Sequence, residues 1–168
     1  ETIWNRKLES PIYSSPQIIP NRKEFLVAEV SKNVHCFDFE GKILWSFQTD
    51  GHIFSSFLFH PVSETEVKIL FGCHDKMLRC ISCKEGSRNL LWKTELQSQI
   101  YGTPRIITIN NEHFYVSAST SGFINFVDSN GEIQHIHKLP GEIFSSPAIF
   151  ERMIFVGCRD NFLYCIQF

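Results

Sequence analysis

The chain is poor in the residues that build helix faces: two methionines and three alanines stand against sixteen phenylalanines in 168 residues. That balance excludes a helical bundle and favours pleated surfaces, on which aromatic and β-branched side chains pack well. It also lacks an excess of charge of either sign. Sixteen basic and eighteen acidic residues leave a formal net charge of -2, mixed along the chain, so there is no basic field of the kind nucleic-acid binding needs. No apolar run reaches the roughly 18 residues of a membrane span, and the opening ETIWNRKLES has no hydrophobic centre of a secretory signal. Neither a nucleic acid nor a membrane is expected as a partner. What is present is ordinary globular composition, 43% hydrophobic and 20% charged, which excludes a disordered chain.

The sequence repeats. One element recurs as Ile12-Tyr13-Ser14-Ser15-Pro16, Ile53-Phe54-Ser55-Ser56-Phe57, Ile100-Tyr101-Gly102-Thr103-Pro104 and Ile143-Phe144-Ser145-Ser146-Pro147, with the aromatics 41, 47 and 43 residues apart. Nine residues before each aromatic stands Trp4, Trp45, Trp92 or, in the last repeat, His135. Such a period is the signature of a propeller or another repeat array. Between these markers lie short β-branched and aromatic runs: FLVAEV, KILFGC, FYVSAS and MIFVGC, then NVHCFDF, MLRCISC, FINFVDS and FLYCIQF, then the outer runs KILWSF, NLLWKT and EIQHIH. Turn chemistry separates them, at Asp75-Lys76, Ser121-Gly122 and Asp160-Asn161, and again at Glu40-Gly41-Lys42, Glu85-Gly86-Ser87 and Asn130-Gly131-Glu132. With the Ile-aromatic element taken as a first, channel-lining strand, every repeat holds four strands.

The expected fold is all-β: a β-propeller of four-stranded antiparallel blades. Residues 1–168 form a single partial propeller domain, with repeats at about 4–44, 45–91, 92–134 and 135–168. Thr2-Ile3-Trp4 reads as an outer strand and Phe168 closes a third strand, so the chain carries a whole number of blades offset by one strand. The preferred reading is half of a larger ring.

The closing segment IFVGCRDNFLYCIQF resembles the pyrroloquinoline-quinone repeat, a Val-Gly-Ser strand, an Asp-Gly turn and a Leu-Tyr-Ala-Leu-Asp strand followed by a Trp strand. Ala28, Gly72, Ala118 and Gly157 match that family's small residue. Val34, Leu78, Ile124 and Leu163 match its leucine. Asp38 and Asp128 match its closing aspartate, from which Ser82 and Gln167 depart. The cysteine-rich wording of the same segment resembles the terminal propeller of the beta-alanine-activating enzymes. That resemblance implies a parent in which an ATP-dependent acyl-CoA-synthetase-like ligase and a phosphopantetheine carrier domain precede an appended propeller. The activation chemistry then lies outside these residues, and the fragment is a non-catalytic interaction scaffold.

Candidate sites are few. Cys73, His74, Cys80 and Cys83 form a C-x6-C-x2-C run with an adjacent imidazole, which is zinc-ligand chemistry. The repeat register argues against it: Cys36, Cys80 and Cys165 share one small-residue position and Cys73 and Cys158 another, where a free cysteine acts as a small buried hydrophobe. No metal site is therefore assigned, and six free thiols suit a reducing, cytoplasmic setting. Ser55-Ser56 and Ser145-Ser146 read as structural hydroxyls that satisfy backbone groups or channel water, not as nucleophiles. His135 and His137 share a strand face and could offer two nitrogens to a metal. Lys76, Arg79, Arg88 and Lys93 read as solvated surface. The residues singled out as structural markers of the repeat are Trp4, Trp45, Trp92, Tyr13, Phe54, Tyr101, Phe144, Gly72 and Gly157.

Two other functions are weighed. A quinone-dependent dehydrogenase fragment would need pyrroloquinoline quinone and calcium, but the repeated oxygen positions Ser31, Asp75, Ser121 and Asp160 are heterogeneous and no adjacent cysteine pair occurs, so no cofactor is expected. A luminal sensor that dimerises is the third class. The expected partner is a protein, the parent's other domains, or a second copy through open blade edges.

Overall fold

A computed structural model describes residues 1–85 and 87–168, so Gly86 of the Glu85-Gly86-Ser87 turn lies outside the described residues. Among the described residues, fifteen strands form four antiparallel sheets, each a meander in chain order. The first blade is β1 (Gln17–Ile18), β2 (Glu24–Ala28), β3 (Asn33–Asp38) and β4 (Ile43–Gln48). The second is β5 (Leu58–Pro61), β6 (Glu66–Gly72), β7 (Met77–Lys84) and β8 (Ser87–Glu95). The third is β9 (Arg105–Ile109), β10 (Glu112–Ala118), β11 (Phe123–Asp128) and β12 (Ile133–Lys138). The fourth has three strands, β13 (Ala148–Phe150), β14 (Met153–Gly157) and β15 (Leu163–Gln167).

The turn chemistry explains the hairpins. Lys32, Lys76, Gly122 and Asn161 occupy one repeat position between the second and third strands, and all four take positive φ, from 69° to 85°. The second turn places Gly41 and Gly131 at φ 82° and 91°. Glycine is required there for a further reason: a Cβ on Gly41 would come within 2.9 Å of the Trp4 ring, and one on Gly131 within 2.8 Å of Trp92. Trp4 and Trp92 thus each lie against the turn of the blade that follows, and each indole N–H donates to the backbone of that turn, Trp4 to Phe39 O at 2.8 Å and Trp92 to Ser129 O at 3.0 Å.

Two expectations need correction. The Ile-aromatic element is not itself the first strand; it leads into β1, β5, β9 and β13, with Ile12 making only an isolated bridge to Glu29. Thr2-Ile3-Trp4, read as an outer strand, carries no strand assignment, although Trp4 is docked as an outer-strand tryptophan would be. The reason is that no fourth-blade strand pairs with them.

The core is built between blades. Each blade shows an outgoing face toward the next and an incoming face toward the one before. Leu26, Ala28, Val34 and Cys36 of the first blade pack against Val67, Ile69, Phe71 and Ile81 of the second. Leu70, Leu78 and Cys80 of the second meet Ile100, Tyr115 and Val127 of the third. Val116, Ala118, Ile124 and Phe126 of the third meet Ile154, Val156 and Ile143 of the fourth. Alternation of side chains along each strand makes both faces apolar, which is why the strands read as nearly continuous hydrophobic runs.

Candidate functional site

The paired hydroxyl positions of the repeat do two different jobs. The first stitches a blade internally: Ser14 Oγ donates to Ala28 O and accepts from Ala28 N, both at 2.9 Å, and Ser55 Oγ does the same with Gly72 at 2.8 and 3.1 Å. Ser145 Oγ donates to Gly157 O at 3.0 Å. The second links neighbouring blades. The amide of Ser15 donates to Ser56 Oγ at 2.9 Å, that of Ser56 to Thr103 Oγ1 at 3.1 Å, and that of Thr103 to Ser146 Oγ at 2.8 Å. A relay of amide-to-hydroxyl bonds therefore runs through all four blades in one direction.

Beside it runs an aromatic collar. The rings of Tyr13 and Phe54 lie 5.6 Å apart, Phe54 and Tyr101 5.2 Å, Tyr101 and Phe144 4.8 Å. His74 fills the gap between Phe54 and Tyr101, at 4.5 and 4.2 Å from their centroids. Burial lowers the His74 pKa from its ordinary value and His52 nearby lowers it further, so the ring is a neutral packing element at physiological pH. Arg159 lies over Phe144 at 5.4 Å, a cation–π contact at the collar's far end.

A third feature is confined to the first blade. Glu29 stands where the other repeats have Cys73, Ser119 and Cys158, and its side chain is almost completely buried. Its carboxylate accepts from the amides of Glu9 and Ser10 at 3.1 Å each, from Asn33 Nδ2 at 3.0 Å, and bonds His35 Nε2 at 3.0 Å. His35 Nδ1 in turn bonds Ser46 Oγ at 2.7 Å. Burial alone would raise the Glu29 pKa, but bonds from His35, Asn33, Ser31 and the Ser10 backbone outweigh it and lower the value to about 2. The hydroxyl, imidazole and carboxylate stand in series as in a hydrolase relay. The two amides identify the carboxylate's structural work, which is to clamp the opening segment onto the first blade. Sequence reading missed this clamp; its signal was the one repeat that breaks the Cys/Ser position.

The zinc-like run does not converge. Cys80 and Cys83 are three residues apart on β7 and so face opposite sides of the sheet, Cys80 with Leu70 and Tyr115, Cys83 with Val67 and Ile81. Cys73 donates to His52 O at 3.3 Å and His74 turns into the collar. Burial pushes the Cys80 thiol up to about 12 and also raises Cys36 and Cys73, which leaves them protonated and inert. The small-residue reading of the cysteines holds for Cys36, Cys73, Cys80 and Cys83, all buried, but Cys158 is half-buried and Cys165 exposed. Arg79 is not solvated surface. It is buried, and ion-paired with Asp75 because the tight turn returns that carboxylate to the start of its own strand.

His135 and His137 do share a face. With Phe114, Phe126, Ile166 and Phe168 they line a cavity of about 460 Å³ between the third and fourth blades. At the preceding interface Trp92 and the Gly131 turn occupy the corresponding space. Among the described residues, no group of three or more His, Cys, Asp or Glu could hold a metal ion.

The profile of the family described as "Beta-alanine-activating enzyme, beta-propeller" matches residues 1–168. The chain is 40% identical to the beta-alanine-activating enzyme of Drosophila melanogaster over 177 residues, covering 97% of this chain and 18% of that protein. It is also 40% identical to the Homo sapiens enzyme of the same name over 109 residues, covering 62% of this chain and 10% of that protein. The chain thus spans less than a fifth of the curated relatives it matches. Among solved structures, the computationally designed Ika4 protein superposes with a TM-score of 0.71 at 15% identity over 96% of this chain and 93% of its own. BamB from Moraxella catarrhalis gives 0.70 at 13% identity over 96% of this chain and 48% of its own. These likenesses show the fold. The family match shows that the chain belongs to the beta-propellers of the beta-alanine-activating enzymes.

Proposed function

We propose that this member of the beta-alanine-activating-enzyme propellers is a non-catalytic scaffold within a larger ATP-dependent amino-acid-activating ligase, and that it docks the parent's other domains. One observation carries the reading: the propeller family covers the whole chain, while the chain covers 18% of the fly enzyme, leaving most of that protein for activation and carrier chemistry. The titratable groups support it. The Cys36, Cys73 and Cys80 thiols are held protonated, the Glu29 carboxylate is saturated with donors, and His74 is a packing element, so these side chains stabilise blades. Six unpaired cysteines favour a reducing, cytoplasmic setting. No specific observation favours the quinone-dehydrogenase or luminal-sensor readings.

The test is beta-alanine-dependent exchange of pyrophosphate into ATP. The 168-residue chain alone is expected to show none, and when immobilised to retain the separately produced activation and carrier portion of the fly relative. Exchange catalysed by the chain itself overturns the proposal.

A further inference from the structure

The junctions between blades repeat one another except in one place. Ile19 of the first blade shares a core with Ile69 of the second, and Ile107 of the third shares one with Ile154 of the fourth, each 5% exposed or less. Between the second and third blades the same two repeat positions hold His60 and Tyr115. Tyr115 is completely buried, and its hydroxyl bonds His60 Nδ1 at 2.8 Å. Beside them His113 stands where the second blade has the buried Val67. Polar groups in such a seam cost desolvation that an isoleucine pair avoids, and a local rule broken at one junction out of three marks a place where packing serves something else.

The two imidazoles are held as ligands are held. Their ring centroids lie 4.6 Å apart with the planes at 73°, His60 on β5 and His113 on β10. Each ring is fixed through Nδ1, His60 by Tyr115 and His113 by Thr108 Oγ1 at 3.0 Å. Neither Nε2 has a protein partner among the described residues; that of His60 is not sealed from solvent, and His113 is an exposed residue. A metal-ligating histidine has this pattern, its second nitrogen oriented by a hydrogen bond while the first stays free. Other histidines lack it. His35 spends both nitrogens on Glu29 and Ser46, and the Nε2 of His74 is sealed inside the collar. Burial, then His113 and Lys68, lower the His60 pKa, which keeps that imidazole neutral near pH 7.

We propose that His60 and His113 together bind one divalent first-row transition-metal ion through their Nε2 atoms, joining the second blade to the third. Imidazole suits zinc, copper and nickel, and bonds of about 2.0–2.1 Å let one ion reach two nitrogens up to about 4 Å apart. In the loaded site each Nδ1–H donates, to Tyr115 Oη and to Thr108 Oγ1. Among the described residues no third His, Cys, Asp or Glu completes the set, so water fills the remaining positions and the ion is exchangeable. Because its two ligands belong to different blades, the ion stabilises their junction by mass action. The second and third blades are both four-stranded sheets, and all four residues of the site lie within them. The inference stands apart from the scaffold reading, since metal binding and neither docking nor exchange tests it.

Nickel(II) is the probe, added by isothermal titration to the untagged chain near neutral pH. One equivalent should bind saturably, and the urea midpoint of unfolding should rise with nickel concentration. His60→Ile installs the residue type of Ile19 and Ile107, so the variant should fold as well as the unmodified chain yet lose saturable binding. His113→Gln should lose it too. Tyr115→Phe keeps both ligands but frees the His60 ring, and should weaken binding about tenfold. Joint His135→Gln and His137→Gln substitution, or alkylation of the exposed Cys165, should leave binding unchanged. No saturable binding by the unmodified chain, or binding that survives His60→Ile or His113→Gln, overturns the proposal.

Discussion

The outgoing faces of the first three blades and that of the fourth are written in nearly the same residues, yet they live in different surroundings. Leu26, Ala28, Val34 and Cys36 are sealed, as are their counterparts in the second and third blades; Phe155 and Gly157 are half-buried, and Leu163 and Cys165 are exposed. The difference lies in what stands next, not in the blade itself. In a repeat array the energy is held at interfaces, so a blade acquires its core only when a neighbour arrives.

Three measurements sharpen or break that contrast. The largest effect belongs to the leucine position. Leu78→Ala should cost about 2–5 kcal/mol in denaturant unfolding, whereas Leu163→Ala should change it by less than about 0.5 kcal/mol. Equal costs would mean that the fourth blade's outgoing face is already covered.

Second comes the clamp that covers the first blade's incoming face. Glu29→Ala strands two amides and two side-chain donors and should cost about 1–3 kcal/mol near neutral pH. The sign with pH follows from the lowered pKa: the carboxylate's contribution is complete above the ordinary 4.5 and fades as pH falls through about 2. The gap between the unsubstituted chain and the variant should therefore narrow over that window, in stability measured by urea titration. A constant gap would remove the ionised carboxylate from the account. The smallest effect separates two serines. Ser55→Ala breaks a buried pair of bonds to Gly72 and should cost about 1 kcal/mol, while Ser145→Ala, exposed and singly bonded, should be close to neutral.

The blades were legible in the sequence because period, turn residues and Trp register all express local geometry. Lys76, Gly122 and Asn161 adopt the left-handed backbone that their turns suggested. What local signals could not supply was direction across blades. Ser14 and Ser15 are adjacent and alike in composition, but one bonds its own blade and the other is linked to the next, a distinction that exists only once the blades are stacked. The Ile-aromatic element looked like a strand because its residues favour one; it forms no ladder because the Ser14 and Ser55 hydroxyls take up the N–H and C=O of Ala28 and Gly72 in their own blades, while the rings pack between blades. Arg79 misled for the converse reason, since a lone arginine in a strand pattern gives no sign of the Asp75 carboxylate that the turn folds back onto it.

The amide-to-hydroxyl relay also gives the arc a grammar. Every blade presents a donor on one side and an acceptor on the other, so blades join in one orientation only, and a reversed blade would set donor against donor. A whole repeat cut from one relay bond to the next can be inserted or removed with the phrase still reading correctly. The circumference of the assembly can thus change by counting units, without rewriting any contact between them.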